Sequence, residues 1–193
     1  MIDYLKGEIV ELSPAHAVVE VNGTGYSVQI SLITYSELTV ASSSKLYIYE
    51  AIREDAITLY GFIGQQERAL FLLLISVSGV GVNTARVILS SLSSAELQTA
   101  ILSGNVNVLK SVKGIGGKTA ERIIIDLRDK VSRIEVSDSK GSVLDNSLKT
   151  EAVAALVMLG FAQIPAQRAV GRVLEKEMNL KVEQVIKLAL KLL

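Results

Sequence analysis

The 193-residue sequence has no cysteine, no tryptophan, two prolines and one histidine. Without cysteine there is no disulfide, no thiolate zinc site and no cysteine nucleophile. A Ser-His-Asp triad would have to use His16, which sits in Ser-Pro-Ala-His-Ala, a turn between strands where a surface histidine is expected. Long apolar runs are also missing. The longest, Ala69 to Ile75, falls far short of the roughly 20 residues a membrane helix needs. Met1-Ile2-Asp3-Tyr4 shows no basic segment followed by an apolar one, so no signal peptide is expected, and the expected location is cytoplasmic with no membrane partner. Net charge of one sign is lacking too: 20 basic side chains balance 20 acidic ones.

What is present is enough apolar material for real cores, 49% of residues, with a mean hydropathy of +0.40. The balanced charge is unevenly placed. Residues 1–63 carry three basic and eight acidic side chains, residues 64–131 eight and five, and the remainder nine and seven. An acidic N-terminal part therefore precedes a mildly basic middle, which suits one unit that meets phosphate beside one that does not.

Periodicity divides the chain in the same places. Residues 1–63 alternate as strands at Leu5–Leu12, His16–Val21, Tyr26–Ser31, Lys45–Ile52 and Ile57–Phe62, with turn chemistry at Ser13-Pro14 and Asn22-Gly23-Thr24-Gly25. Five short strands without a long helix predict a small closed barrel such as an OB-fold. That fold often binds nucleic acid, but the negative charge here favours a scaffold. Residues 64–131 turn helical: Gln66–Ser76, Thr84–Leu92, a capping box at Ser93-Ser94-Ala95-Glu96 opening a helix to about Leu102, and Lys118–Lys130. Residues 132–146 are polar, rich in Ser and Asp and aperiodic, which reads as a flexible linker. Residues 147–193 read as three helices, Leu148–Leu159, Pro165–Lys176 and Val182–Leu193, with Gly160 ending the first. The fold class expected is α+β and multidomain.

One phrase occurs twice, 35 positions apart: Ser78-Gly79-Val80-Gly81-Val82-Asn83-Thr84-Ala85 and Lys113-Gly114-Ile115-Gly116-Gly117-Lys118-Thr119-Ala120. Each reads as the turn of a helix-hairpin-helix. The first glycine can take the positive φ of a sharp turn, and the second has no Cβ to hold a phosphate away from the backbone. Val80 or Ile115 between them can point inward and pin the turn. The next helix then aims its unpaired amides and positive dipole end at the same spot, a phosphate site that reads no base. A lone Gly-x-Gly is more often a plain helix C-cap. Here Ser76/Ser111, Val77/Val112, Thr84/Thr119, Ala85/Ala120, Ile88/Ile123 and Leu92/Leu127 repeat in register as well, which points to an internal duplication with one purpose.

Gly117-Lys118-Thr119 is also the tail of a Walker A loop. That motif needs a further glycine where Val112 stands, and a buried strand before it, whereas Val106–Ser111 looks like a helical turn. Nucleotide hydrolysis is not expected. Arg53-Glu54-Asp55-Ala56 joins the fourth and fifth strands. Two adjacent carboxylates there are an ordinary solvated turn, or, in a DNA-binding protein, a spike that repels phosphate and steers strands apart.

Glu54-Asp55-Ala56 with Leu59-Tyr60-Gly61-Phe62, then Gln66-Glu67-Arg68 and an apolar helix, the two hairpins, and Ala152-Val153-Ala154-Ala155-Leu156 with Leu159-Gly160-Phe161 resemble, over the whole chain and in order, the RuvA family of Holliday-junction-binding subunits. The resemblance implies a homotetramer, or two facing tetramers, holding four-way junction DNA open and square-planar. It implies that Gly79, Val80, Gly81, Gly114, Ile115, Gly116, Gly117, Lys118, Thr119 and Arg122 meet DNA, that Arg53 lies near the crossover, and that Glu54 and Asp55 form a central acidic pin. It further implies that a three-helix, UBA-like C-terminal domain contacts the RuvB ATPase through Leu156, Leu159 and Leu190, with the resolvase RuvC as another partner. No catalytic residue, metal or cofactor is expected in this chain, since the motor holds the ATP chemistry. Asn83 stands where a lysine commonly follows the first hairpin, and Gly117 where the family is often basic; Lys110, Lys113 and Arg86 are candidates to compensate. Two other readings remain open at this point: a hairpin-bearing nuclease or glycosylase, and a module that binds any duplex.

Overall fold

The computed structural model describes residues 1–132, 134, 144–176 and 180–193. Five strands, β1 (Tyr4–Ser13), β2 (His16–Val21), β3 (Thr24–Ile30), β4 (Ser43–Ile52) and β5 (Ile57–Phe62), close into a barrel in the order β1-β2-β3-β5-β4, with β4 returning to β1. All pairs are antiparallel except β3 with β5. The barrel is OB-like. Alternation places Leu5, Ile9, Val19, Val28, Leu46 and Ile48 inside it. The β2–β3 link is a two-residue turn with positive φ at both Asn22 and Gly23, the geometry that matches strand twist.

The strand pattern does not reveal α1 (Leu32–Glu37), a six-residue helix between β3 and β4. Its cause is local: the Ser31 hydroxyl accepts the Thr34 N–H and caps the first turn. Alternation alone carries no sign of so short a helix.

Then come α2 (Gln65–Ile75), α3 (Val82–Ser91), α4 (Ser94–Leu102), α5 (Val106–Lys110) and α6 (Gly117–Val131). The segment before Gly117-Lys118-Thr119 is thus helical, not a strand. At α4 the expected capping box is formed in both directions, Ser93 with the Glu96 N–H and Glu96 with the Ser93 N–H. Besides the barrel interior, a second core joins Tyr60 and Phe62 of β5 to the helices: Phe71 of α2 lies 4.8 Å from Phe62, 5.4 Å from Tyr49 and 5.5 Å from Tyr60, centroid to centroid. Barrel and helices form a single compact unit, Met1–Ser137.

The second unit, Asp138–Leu193, contains α7 (Leu144–Met158), α8 (Gln163–Lys176) and α9 (Val182–Ala189) around Ala152, Leu156, Val170, Val185 and Ala189. α7 ends at Gly160 (φ 99°), where Phe161 N–H bonds Leu156 C=O and Gly160 N–H bonds Val157 C=O, a Schellman stop. α9 is shorter than its apolar pattern suggests. Beyond Ala189 the chain tightens into i→i−3 bonds, Lys191 to Leu188 and Leu192 to Ala189, so Leu190 is its cap. Most of the linker expected at 132–146 lies outside the described residues.

Candidate nucleic-acid interface

The two glycine phrases fold alike. After α2, Val77 N–H bonds Leu74 C=O at 3.1 Å, Val80 N–H bonds Val77 C=O at 3.0 Å, and Ala85 N–H bonds Gly81 C=O at 2.9 Å. After α5 the counterparts are Val112 to Leu109 at 3.2 Å, Ile115 to Val112 at 3.1 Å and Ala120 to Gly116 at 2.9 Å. Gly79 and Gly114 both have φ of 91°. Val80 and Ile115 are buried in the shared core with Val77, Val112, Ala85 and Ala120, so their side chains pin the turns and only their backbone faces outward.

Gly81 and Gly116 pose a different question, because nothing inside the protein demands them. Both have ordinary extended backbone, φ −85° and −82°, and a Cβ at either would meet nothing within 4 Å. Each is the N-cap of a helix, a position where Ser, Thr, Asp or Asn would satisfy an amide, yet neither helix has a side-chain cap. Both helices therefore present free N–H groups behind a backbone that anything outside can approach closely. An uncapped helix end of this kind can take an anion, and the fold makes it twice. Lys118, exposed one residue into α6, adds a cation at the second. At the first, Asn83 is exposed and neutral.

Arg122 donates to Ser78 C=O at 3.2 Å, so a side chain of the second hairpin braces the turn of the first. Arg86 does not stand in for the missing lysine. Its guanidinium is committed to the barrel, donating to Gln29 Oε1 at 2.7 Å and Ala15 C=O at 3.2 Å. Lys110 and Lys113 are exposed.

The β4–β5 hairpin ends in a tight turn closed by Arg53 N–H to Ala56 C=O at 2.9 Å, with Arg53, Glu54 and Asp55 all exposed. The pair Ile52 and Ile57 below them is exposed as well, at 71% and 69%, so the acidic tip stands on an apolar neck. Among the described residues no group of three or more His, Asp or Glu side chains could hold a metal ion, and His16 shares a hydrogen bond with Ser27. No helix is long and apolar enough to cross a membrane, again among the described residues.

In the C-terminal unit Leu156, expected from the resemblance at a motor contact, is wholly buried among the three helices. Leu159 (62%) and Leu190 (40%) are exposed. A 710 Å³ groove lies along α7 and α8, lined in part by Val153, Ala154, Val157 and Met158.

Pattern reading did not single out Glu67 and Arg68 as structural ties. Glu67 is buried and accepts hydrogen bonds from Ser31 and Thr34, while Arg68 ion-pairs with Asp3 at 2.6 Å. Their signal, a charged pair opening an apolar helix, looks the same as an ordinary solvated first turn.

Family models match in sequence order: RuvA N terminal domain over residues 1–61, SAM-like helix-hairpin-helix tandem over 71–129, and RuvA C-terminal domain over 147–193. A Bacteroides fragilis protein described as Holliday junction branch migration complex subunit RuvA is 58% identical, covering 99% of both chains. Proteins of the same description from Bacteroides thetaiotaomicron and Porphyromonas gingivalis are 56% and 46% identical, covering 99% and 100% of both chains. With both barrel and hairpins in place and relatives matched from end to end, the chain belongs to the RuvA family.

Proposed function

We propose that this chain is the non-catalytic, junction-binding subunit of a Holliday junction branch migration complex, working with a RuvB motor. The observation that carries the reading is the pair of equivalent hairpins whose helix ends are uncapped and open, in the same compact unit as an exposed acidic turn. The hairpin backbones hold phosphates of the duplex arms without reading sequence, with Lys118 and Arg122 adding charge at the second hairpin. Glu54 and Asp55 keep phosphate off the tip, and Arg53 beside them draws the backbone to its rim. Four copies around a common axis bring four acidic turns to the crossover, and a second tetramer facing the first would enclose the DNA.

The units divide the work, with residues 1–63 as pin-bearing barrel, 64–131 as DNA grip, 132–146 as tether and 147–193 as motor contact. In the last, Leu159 and Leu190 offer apolar surface to RuvB, and Leu156 shapes that surface from beneath. A junction held open also leaves its strands available to a RuvC resolvase.

Gel-shift competition tests the reading. A labelled four-way junction should resist linear duplex of the same sequence at about a hundredfold excess, a preference of roughly 2.7 kcal/mol. Equal competition would reduce the protein to a general duplex binder, and junction cleavage with Mg²⁺ by the purified chain would make it a nuclease.

A further inference from the structure

Glu67 is 5% exposed, and its carboxylate lies where the barrel meets the helices. Ser31 Oγ donates to Oε1 at 2.6 Å and Thr34 Oγ1 donates to Oε2 at 2.9 Å, so both oxygens are tied to the α1 corner of the barrel. The two hydroxyls are themselves fixed. Ser31 Oγ accepts the Thr34 N–H at 3.0 Å, and Thr34 Oγ1 accepts the Ile63 N–H at 3.3 Å. Ser31 and Thr34 are 1% and 0% exposed, so each group has a defined partner and no water to exchange it for.

The next residue reaches the other way. Arg68 Nη1 donates to Asp3 Oδ1 at 2.6 Å and to Asp3 C=O at 2.9 Å, at the start of β1, and its guanidinium lies 5.3 Å from the Tyr47 ring of β4. Consecutive residues in the first turn of α2 thus hold different parts of the barrel. α2 runs from there into the first hairpin, and β4 and β5 run into the acidic turn. The Phe62–Phe71 core glues these parts together, but apolar contact has no direction. A buried carboxylate with two fixed donors does, because rotating the helix strands a charge.

We propose that Glu67, held by Ser31 and Thr34, is a positioning residue that sets the angle between acidic turn and hairpins, and thereby the preference for a four-way junction over a linear duplex. The inference rests on the junction-binding reading above. A duplex arm needs only the hairpins, whereas a junction needs hairpins and acidic turn in register on one DNA.

The test replaces the polar latch by apolar groups, Glu67→Leu with Thr34→Val, leaving Ser31 to cap α1, and sets this beside Glu67→Gln and the wild type. Melting, duplex affinity and junction affinity are measured on the full chain. The double variant, which takes these acceptors from the Ile63 N–H and the Ser31 hydroxyl, should melt below wild type yet stay folded and hold linear duplex within about twofold, while its junction-over-duplex preference falls about tenfold. Glu67→Gln, which keeps one acceptor, should lose about threefold. A folded double variant with unchanged preference overturns the proposal, as does a parallel loss of duplex and junction binding, which marks general damage. If the double variant does not fold, Glu67→Gln decides alone: reduced preference supports the latch and unchanged preference overturns it. A wild type with no junction preference would instead overturn the functional reading, and the latch with it.

Discussion

At the residue scale the four hairpin glycines separate into two kinds. Gly79 and Gly114 serve the fold, because φ of 91° strains any side chain. Gly81 and Gly116 have relaxed backbone and open space, so the fold itself does not require a glycine at either. The two kinds should respond oppositely. Gly114→Ala is expected to cost about 1–2 kcal/mol in urea unfolding. Gly116→Val should cost less than about 1 kcal/mol there, yet weaken junction binding about tenfold or more in a titration. Unchanged affinity in the folded Gly116 variant would remove the phosphate from that site. Glu67 shows the same split between type and setting. Burial, outweighing the hydrogen bonds from Ser31 and Thr34, holds its carboxyl above the ordinary 4.5. A raised folded value favours the neutral acid, so this stabilisation is full below about pH 4.5 and is lost as pH climbs through the shifted value. Melting curves of Glu67→Gln against wild type should therefore move in the variant's favour as pH rises from 4, then level off. A shift the other way would contradict the assigned direction.

At the scale of elements, repetition and caps were the legible signals. The capping box at Ser93 and Glu96 could be read directly because its residues lie within one turn, and Ser93→Ala should cost about 1 kcal/mol of unfolding free energy. The doubled hairpin could be read for a similar reason, since its bonds run between near neighbours. Two elements were not legible. α1 depends on one serine cap inside a run that looks extended, and the apolar pattern of α9 continues past the point where its hydrogen bonds tighten. For the acidic turn, sequence names the charges and the structure shows them exposed. Glu54→Gln with Asp55→Asn should keep or raise junction affinity, because repulsion is removed, while changing the rate of motor-driven branch migration. A large loss of affinity in gel shifts would mean that the turn attracts DNA.

At the scale of the whole molecule the uneven charge becomes intelligible. The acidic barrel and the basic hairpin region belong to one compact unit, and the C-terminal helices have a core of their own. A chain ending at Asn146 should therefore bind junction DNA as the full protein does but fail to stimulate the RuvB ATPase. Retained stimulation would move the motor contact into the first unit.

Sequence by itself determined the order of the parts, the doubled glycine hairpin, the acidic turn and the lack of residues for thiol or P-loop chemistry. These are properties of residue type and short spacing, where local geometry leaves few choices. Tertiary structure decided which side chains are free to act. Arg86 is spent on Gln29 and Ala15, Leu156 is sealed inside its helices, and Glu67 is locked to Ser31 and Thr34. Those partners lie 57 and 71 residues from Arg86, and 36 and 33 from Glu67. Only folding brings such residues together, and no local pattern encodes their meeting.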